Sequence, residues 1–392
     1  VIALVDSKIS SSATLSHLEI AELLTHRAAA LARVNSRPDE IETIFSEARV
    51  AVYAAASAAL EAEFLVRESY AHLMVGDSEN AASRAGSVLE IKEGYREPLY
   101  SCPIEHSRAR AHDILAFIGA RQERYDLQKW HYQQALIECD RAHVPDAALE
   151  ANLLSNLATF LVDFGDDGYV RERFDRMPDS EWLASHRYEV LRALAWSNAL
   201  RGDNLGAFRD LRDASDIATT IPRKMRAILD RAYFARQLKQ DITAREEVDY
   251  AERLSGRVDW NLAASDDGEL TALAFLSQEI APTVPVRARR LFDRYKSLKS
   301  KLPSNFVAAN DRRARAEELA VDATISAAEG HSGRSISLFV EAFEIWDALG
   351  YGVRAALIAR NLAALGAGEH FRQYAAAQAA MRPRSWLAAS VP

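Results

Sequence analysis

Long apolar runs, cysteine, glycine and proline are all scarce across these 392 residues, and each shortage excludes something. No segment stays apolar for the roughly 20 residues that a membrane-spanning helix needs. The nearest candidate, VIALV at residues 1–5, is far too short. It also lacks the basic leader and cleavage pattern of a secretory signal, so neither membrane insertion nor export is expected. Two cysteines, Cys102 and Cys139, make no disulfide framework and suit a reducing cytoplasm, the expected location. Surplus positive charge is missing as well: the formal net charge of -8 gives no overall attraction to nucleic acid or anionic membrane. Because residue 1 is Val rather than Met, a preceding segment or domain stays open.

The 16 glycines and 11 prolines fall mostly between periodic segments, and sustained alternation of β-branched residues is absent, so the expected class is all-α. An apolar share of 49% is ample for a core. The length suits two or three compact units or one elongated array. In GHSGRSISLFVEAFEIWDALGYGVRAALIARNLAALG, residues 330–366, Phe339, Ala342, Phe343, Trp346 and Leu349 recur at three- and four-residue steps and share one stripe. Beyond Gly350, Val353, Leu357, Leu362 and Leu365 form a second stripe, with Ala356, Ala359 and Ala363 small enough for close helix approach. Neither helix can bury its stripe alone. Together they read as a hairpin.

The hairpin recurs along the chain. Gly202, Asp203, Ala207, Leu211 and Ala214 repeat the pattern of Gly76, Asp77 and Ala81, and of Gly330, Ser335, Phe339 and Ala342. Tyr125, Tyr132 and Ala135 continue it without the Gly, and Leu191, Leu194 and Ala195 precede one turn as Leu154, Leu157 and Ala158 precede Gly165. Turns therefore fall near residues 76, 123, 165, 202, 240, 330 and 366. These residues resemble the tetratricopeptide repeat, which implies stacked antiparallel hairpins in a right-handed superhelix. The Trp of the repeat's first helix and its closing Pro are mostly absent. Irregular spacing and long helices also resemble the repeat modules of bacterial regulators, such as those following the ATPase in maltose-regulator-like activators or forming peptide-sensing phosphatase regulators.

The expected organisation is a lead-in and one helix over 1–40, hairpins over 41–255, a divergent hairpin over 256–310, and hairpins with a C-terminal cap over 311–392. Within it, a helix from about Ser16 to Val34 stops before Pro38. Pro383 ends the last helix, and Trp386 and Leu387 fold back on it.

Basic clusters are the strongest candidates for partner contact. They comprise Arg223, Lys224 and Arg226, then Arg287, Arg289 and Arg290, then Arg312, Arg313 and Arg315. Gathered on one wall they would hold an acidic partner; as solvated helix faces with nearby Asp and Glu they need no ligand. Cys139 and His143, four apart on a helix, could meet His106, His112 or His131, yet no paired short spacing announces a metal site. Most aromatics fit inter-repeat packing, although Trp130, His131 and Tyr132 cannot all face one core.

NDRRARAEE at 310–318 partly resembles the metal-binding triad of class I terpene synthases, all-α enzymes that hold magnesium against a diphosphate. Its ligand positions would be Asn310, Ala314 and Glu318, but Ala stands where a hydroxyl is needed. Asp166 and Asp266, in DDGYV and DDGEL, lack the expected downstream acid. No phosphate loop, dinucleotide fingerprint, nucleophile elbow or zincin motif occurs. The expected function is therefore a noncatalytic, cofactor-free protein- or peptide-binding repeat module in a bacterial regulatory or assembly system, with self-association left open. The alternatives are the sensor portion of a transcriptional regulator whose DNA-binding domain lies outside these residues and, remotely, a magnesium-dependent terpene synthase-like enzyme.

Overall fold

The computed structural model describes residues 2–11, 15–34, 38–92, 103–164, 168–178, 182–263, 267–302 and 312–381. The expected turn at Gly165, the acids Asp166 and Asp266, and Cys102 lie outside the described residues. So do Asn310 and the cap of Trp386 and Leu387. Among the described residues every regular element is a helix.

The chain divides into two compact units, Val1–Leu153 and Leu154–Pro392. The first holds α1 (Ile2–Ser11), α2 (His17–Val34), α3 (Pro38–Ala55), α4 (Ala58–Met74), α5 (Ser78–Glu90), α6 (Ile104–Arg121) and α7 (Tyr125–Arg141). The division falls inside α8 (Ala147–Phe164). The second holds α9 (Gly168–Arg176), α10 (Ala184–Arg201), α11 (Asn204–Ile217), α12 (Ile221–Gln237), α13 (Asp241–Ser255) and α14 (Trp260–Ala263). It continues with α15 (Asp267–Ile280), α16 (Pro285–Lys299), α17 (Arg312–Ala328), α18 (Ser332–Ala348), α19 (Gly352–Ala364) and α20 (Glu369–Ala380). Successive helices pair as antiparallel hairpins: α2 with α3, α4 with α5 and α6 with α7 in the first unit. In the second, α10 pairs with α11, α12 with α13, α15 with α16, α17 with α18, and α19 with α20. The fold is all-α, built of stacked hairpins of tetratricopeptide-like form.

The lead-in is itself helical. Asp6 of α1 accepts from Arg27 Nε of α2 at 2.7 Å, and Val5 is buried. Ser16 and Glu19 start α2 as a reciprocal cap, Ser16 N–H donating to Glu19 at 2.9 Å and Glu19 N–H to Ser16 Oγ at 3.3 Å.

One local device closes the hairpins. At Gly76, Gly202, Gly330 and Gly366 φ lies between 74° and 84°. Each glycine donates three residues back, and the next residue donates five back; Gly202 N–H reaches Ala199 and Asp203 N–H reaches Asn198. This left-handed stop satisfies the last carbonyls of the first helix, and a glycine takes it without strain. Asp77 and Asp203 follow directly and start the second helix, accepting from Asn80 N–H at 3.2 Å and Gly206 N–H at 2.9 Å. The Gly-Asp pair thus ends one helix and begins the next. Glu123 and Lys239 occupy the same position at φ 58° and 60° with the same bonds, so the turn forms there without glycine.

Seven residues before and five after the turns at Gly76, Gly202, Lys239 and Gly330, small side chains stand on the paired helices, whereas Gln128 and Phe371 take the second position after Glu123 and Gly366. Ala195 and Ala207 hold these positions about Gly202, Ala232 and Ala244 hold them about Lys239, and all four are buried. Where serine replaces alanine its hydroxyl is satisfied across the pair: Ser69 Oγ donates to Ala81 O at 2.7 Å and Ser335 Oγ to Ala323 O at 2.9 Å. Larger residues fill the space between hairpins. In the first unit Phe45 and Phe64 meet edge to face at 5.7 Å within one core with Ile41 and Leu60. In the second unit Trp260, Leu273, Phe292 and Tyr295 share one core, and Tyr188, Leu191, Phe234 and Val353 share another.

Candidate functional site

Val353 is far along the chain from its neighbours in that last cluster. It brings α19 against α10 and α12, with Leu357 packed beside it, and Arg354 of α19 lies 5.3 Å from the ring centroid of Trp196 in α10. The second unit therefore closes on itself, and a cavity of about 200 Å³ remains between α10, α12, α15, α17, α18 and α19.

Helix α12 explains the character of this cavity. Met225, Ile228, Leu229 and Ala232 enter one core while Ala227 and Phe234 enter another, so the helix is covered on most of its circumference. Arg226, Asp230, Tyr233 and Gln237 recur at three- and four-residue steps on the remaining stripe and line the cavity. Charged and polar groups at core spacing can be kept only where partners or a polar space meet them.

Arg226 is 9% exposed. Its guanidinium carbon sits 3.0 Å from the ring centroid of Phe275, and its Nε faces Asp230 Oδ1 at 3.6 Å, beyond hydrogen-bond range. Nε and Nη1 are buried with no hydrogen-bond acceptor. Burial pulls this guanidinium down to about 10, against the opposing pull of Asp230. Asp230 is engaged elsewhere, accepting from Arg192 Nε at 2.6 Å. Glu279 meets Arg236 Nη1 at 2.7 Å, yet burial pushes its carboxyl up to about 7. Trp196 and Tyr233 stack at 5.5 Å and 28°, forming an aromatic wall.

The sequence candidates separate in space. Arg226 alone among them lines the cavity. Arg223 is half-buried with Nη1 3.4 Å from Thr219 Oγ1, and Lys224 is half-buried beside it. Arg287 pairs with Glu252 at 2.7 Å. Arg289 is held by Asp322 at 2.5 Å and Glu329 at 2.8 Å, with Ser326 Oγ at 3.2 Å. Arg290 is exposed. Arg315 pairs with Glu341, Arg313 lies 3.5 Å from the Tyr351 hydroxyl, and Arg312 is half-buried at the start of α17. Arg354 and Arg360 also line the cavity, although nothing in their local spacing marks them.

In the first unit, His112 and His131 approach through their Nδ1 atoms at 2.9 Å, and Trp130 meets both rings edge-on at 5.7 and 4.8 Å. Burial, with His131 adding to it, takes His112 down to about 4, so the pair is neutral at pH 7. Tyr132 is buried while Trp130 is 49% exposed, which divides the aromatic triplet between core and surface. His143 is exposed and His106 buried. Among the described residues, ligand atoms of Glu42, Glu68 and His72 come within 4.8 Å of one another. Arg49 bonds Glu42 at 2.7 Å and also Glu68, while Arg84 reaches the same two acids at 2.7 and 3.1 Å. Two guanidinium groups already neutralise that cluster. A second cavity, of about 390 Å³, lies between α2, α4, α6 and the start of α8. Of the magnesium triad, Glu318 accepts from Tyr295 Oη at 2.8 Å and Lys299 Nζ at 2.5 Å.

No helix among the described residues is long and apolar enough to cross a membrane. No protein-family profile matches the sequence, and no curated protein sequence matches it. Among solved structures, the chain is similar to a Rap protein crystallised in complex with competence and sporulation factor. The similarity has a TM-score of 0.48 at 14% identity, covering 91% of this chain and 99% of that one.

Proposed function

We propose that this chain is a noncatalytic helical-repeat module that captures an acidic protein or peptide in the cytoplasm, in a regulatory or assembly role of bacterial type. The carrying observation is Arg226: a buried cation with two N–H donors lacking acceptors, beside a cavity walled by aromatic rings. An anion that accepts from these donors offsets the cost of burying them. The basic side chains outside the cavity, Arg223, Lys224, Arg287, Arg290, Arg312, Arg313 and Arg315, would extend contact along the partner. Arg289 would serve the fold as well as the partner, since two carboxylates hold it.

The test is affinity capture from native lysate with the parent chain, with Arg226→Met, and with the triple change Arg223→Glu, Lys224→Glu and Arg290→Glu. One protein recovered by the parent and lost by both variants supports the reading. Identical recovery by all three chains overturns it.

A further inference from the structure

We propose that the second-unit cavity accepts the carboxylate of a ligand with an aromatic or apolar tail, with Arg226 as its counter-charge. This rests on the binding reading above and deepens it. At about 200 Å³ the cavity falls below the roughly 300–1,000 Å³ of ordinary small-molecule sites, so it takes one chain terminus or one small acid rather than a length of peptide.

The charge balance selects an anion. Arg192, Arg226, Arg236, Arg354 and Arg360 stand in or behind the wall against Asp230, Glu279 and Glu317. Asp230 is occupied by Arg192, and Glu279 by Arg236. Nε and Nη1 of Arg226 are buried without an acceptor and point to different sides of the guanidinium, so each offers a single charge-assisted hydrogen bond to an anion oxygen. A cation would meet the positive majority. A neutral amide offers one acceptor with a much weaker dipole. Phe275, Trp196, Tyr233 and Trp346 supply the apolar surround, so a small hydrated anion would gain little from it.

The test uses 3-phenylpropionate, its neutral amide 3-phenylpropanamide, a tetrapeptide ending in phenylalanine with a free carboxylate, and that peptide as its C-terminal amide. Calorimetry and the fluorescence of Trp196 and Trp346 report binding to the full chain. The acids are expected to bind about tenfold or more tighter than their amides. Arg226→Met should remove that preference. Glu317→Gln removes a nearby negative charge and should strengthen acid binding, a gain that a misfolded chain could not show. Arg372→Gln, at an exposed position of α20 outside the cavity, should change nothing.

A peptide acid far tighter than 3-phenylpropionate identifies a chain terminus as the source. Binding of 3-phenylpropionate without the peptide keeps the carboxylate cavity and removes the peptide-partner reading. Equal binding of acids and amides, or no binding of either acid by the folded parent chain, overturns the inference. If partner capture survives that result, the cavity assignment falls alone.

Discussion

The Ser335 hydroxyl donates to the Ala323 carbonyl at 2.9 Å, joining α18 to α17. Ser335→Ala should cost about 1 kcal/mol, the net worth of one such bond. Ser335→Leu should cost roughly 1–3 kcal/mol through overpacking of a fully buried site. Urea denaturation of the three chains checks both, with an unchanged slope showing that the same surface unfolds.

Lys239 holds a left-handed backbone where the turns at Gly76, Gly202, Gly330, Gly350 and Gly366 use glycine. Lys239→Gly should stabilise the protein by about 1 kcal/mol, and Gly202→Ala should destabilise it by a similar amount. Opposite shifts in thermal midpoint are expected, and shifts of the same sign would refute the shared-turn account.

Arg289 and Arg290 are sequence neighbours with different surroundings. Arg289→Glu would set a carboxylate against Asp322 and Glu329 and should cost roughly 3–5 kcal/mol. Arg290→Glu, on an exposed position, should stay within about 0.5 kcal/mol. Chemical denaturation of the two single variants separates them.

His112 has its proton affinity lowered by burial and by His131, to about 4 from an ordinary 6.5. Below pH 6.5 the unfolded chain takes up a proton that the folded chain refuses. The resulting stability is complete above pH 6.5 and is lost as pH falls toward 4, by up to about 3 kcal/mol. His112→Gln should flatten the stability profile between pH 7 and 4. Denaturant midpoints at several pH values measure this.

Glu279 acts in the opposite sense. Burial raises its folded value to about 7, against Arg236, so the folded chain keeps a proton that the unfolded chain releases above about pH 4.5. That contribution is present below pH 4.5 and disappears as pH rises through 7. Glu279→Gln should therefore gain stability over the parent as pH rises from 5 to 8. A constant difference across that range would contradict the assignment.

The hairpins were legible in the sequence because their signals are local. Gly202 and Asp203 mark one turn through backbone and side-chain bonds within a few residues, and Ala207 stands at a fixed offset from it. Glu123 and Lys239 were weaker signals, since nothing in their residue type calls for positive φ. Arg226 was legible only as part of a basic cluster. Its neighbours Arg354 and Arg360 reach the cavity through the approach of α19 to α10 and α12, a relation between distant segments that helical periodicity does not contain. A usable clue was present in α12 itself: Arg226, Asp230 and Tyr233 share a stripe on a helix whose other faces carry core residues.

Val353 in the cluster of Tyr188 and Leu191 alters how the second unit should lose its structure. An open array of hairpins can fray from either end, each repeat depending on its immediate neighbours. Here the last hairpins also latch onto the first, so fraying at α19 would uncover α10, and the unit is expected to melt in one transition. The same latch gives an occupant of the cavity leverage over the segment from α10 to α19: by bracing the clasp it slows the opening of every repeat between them.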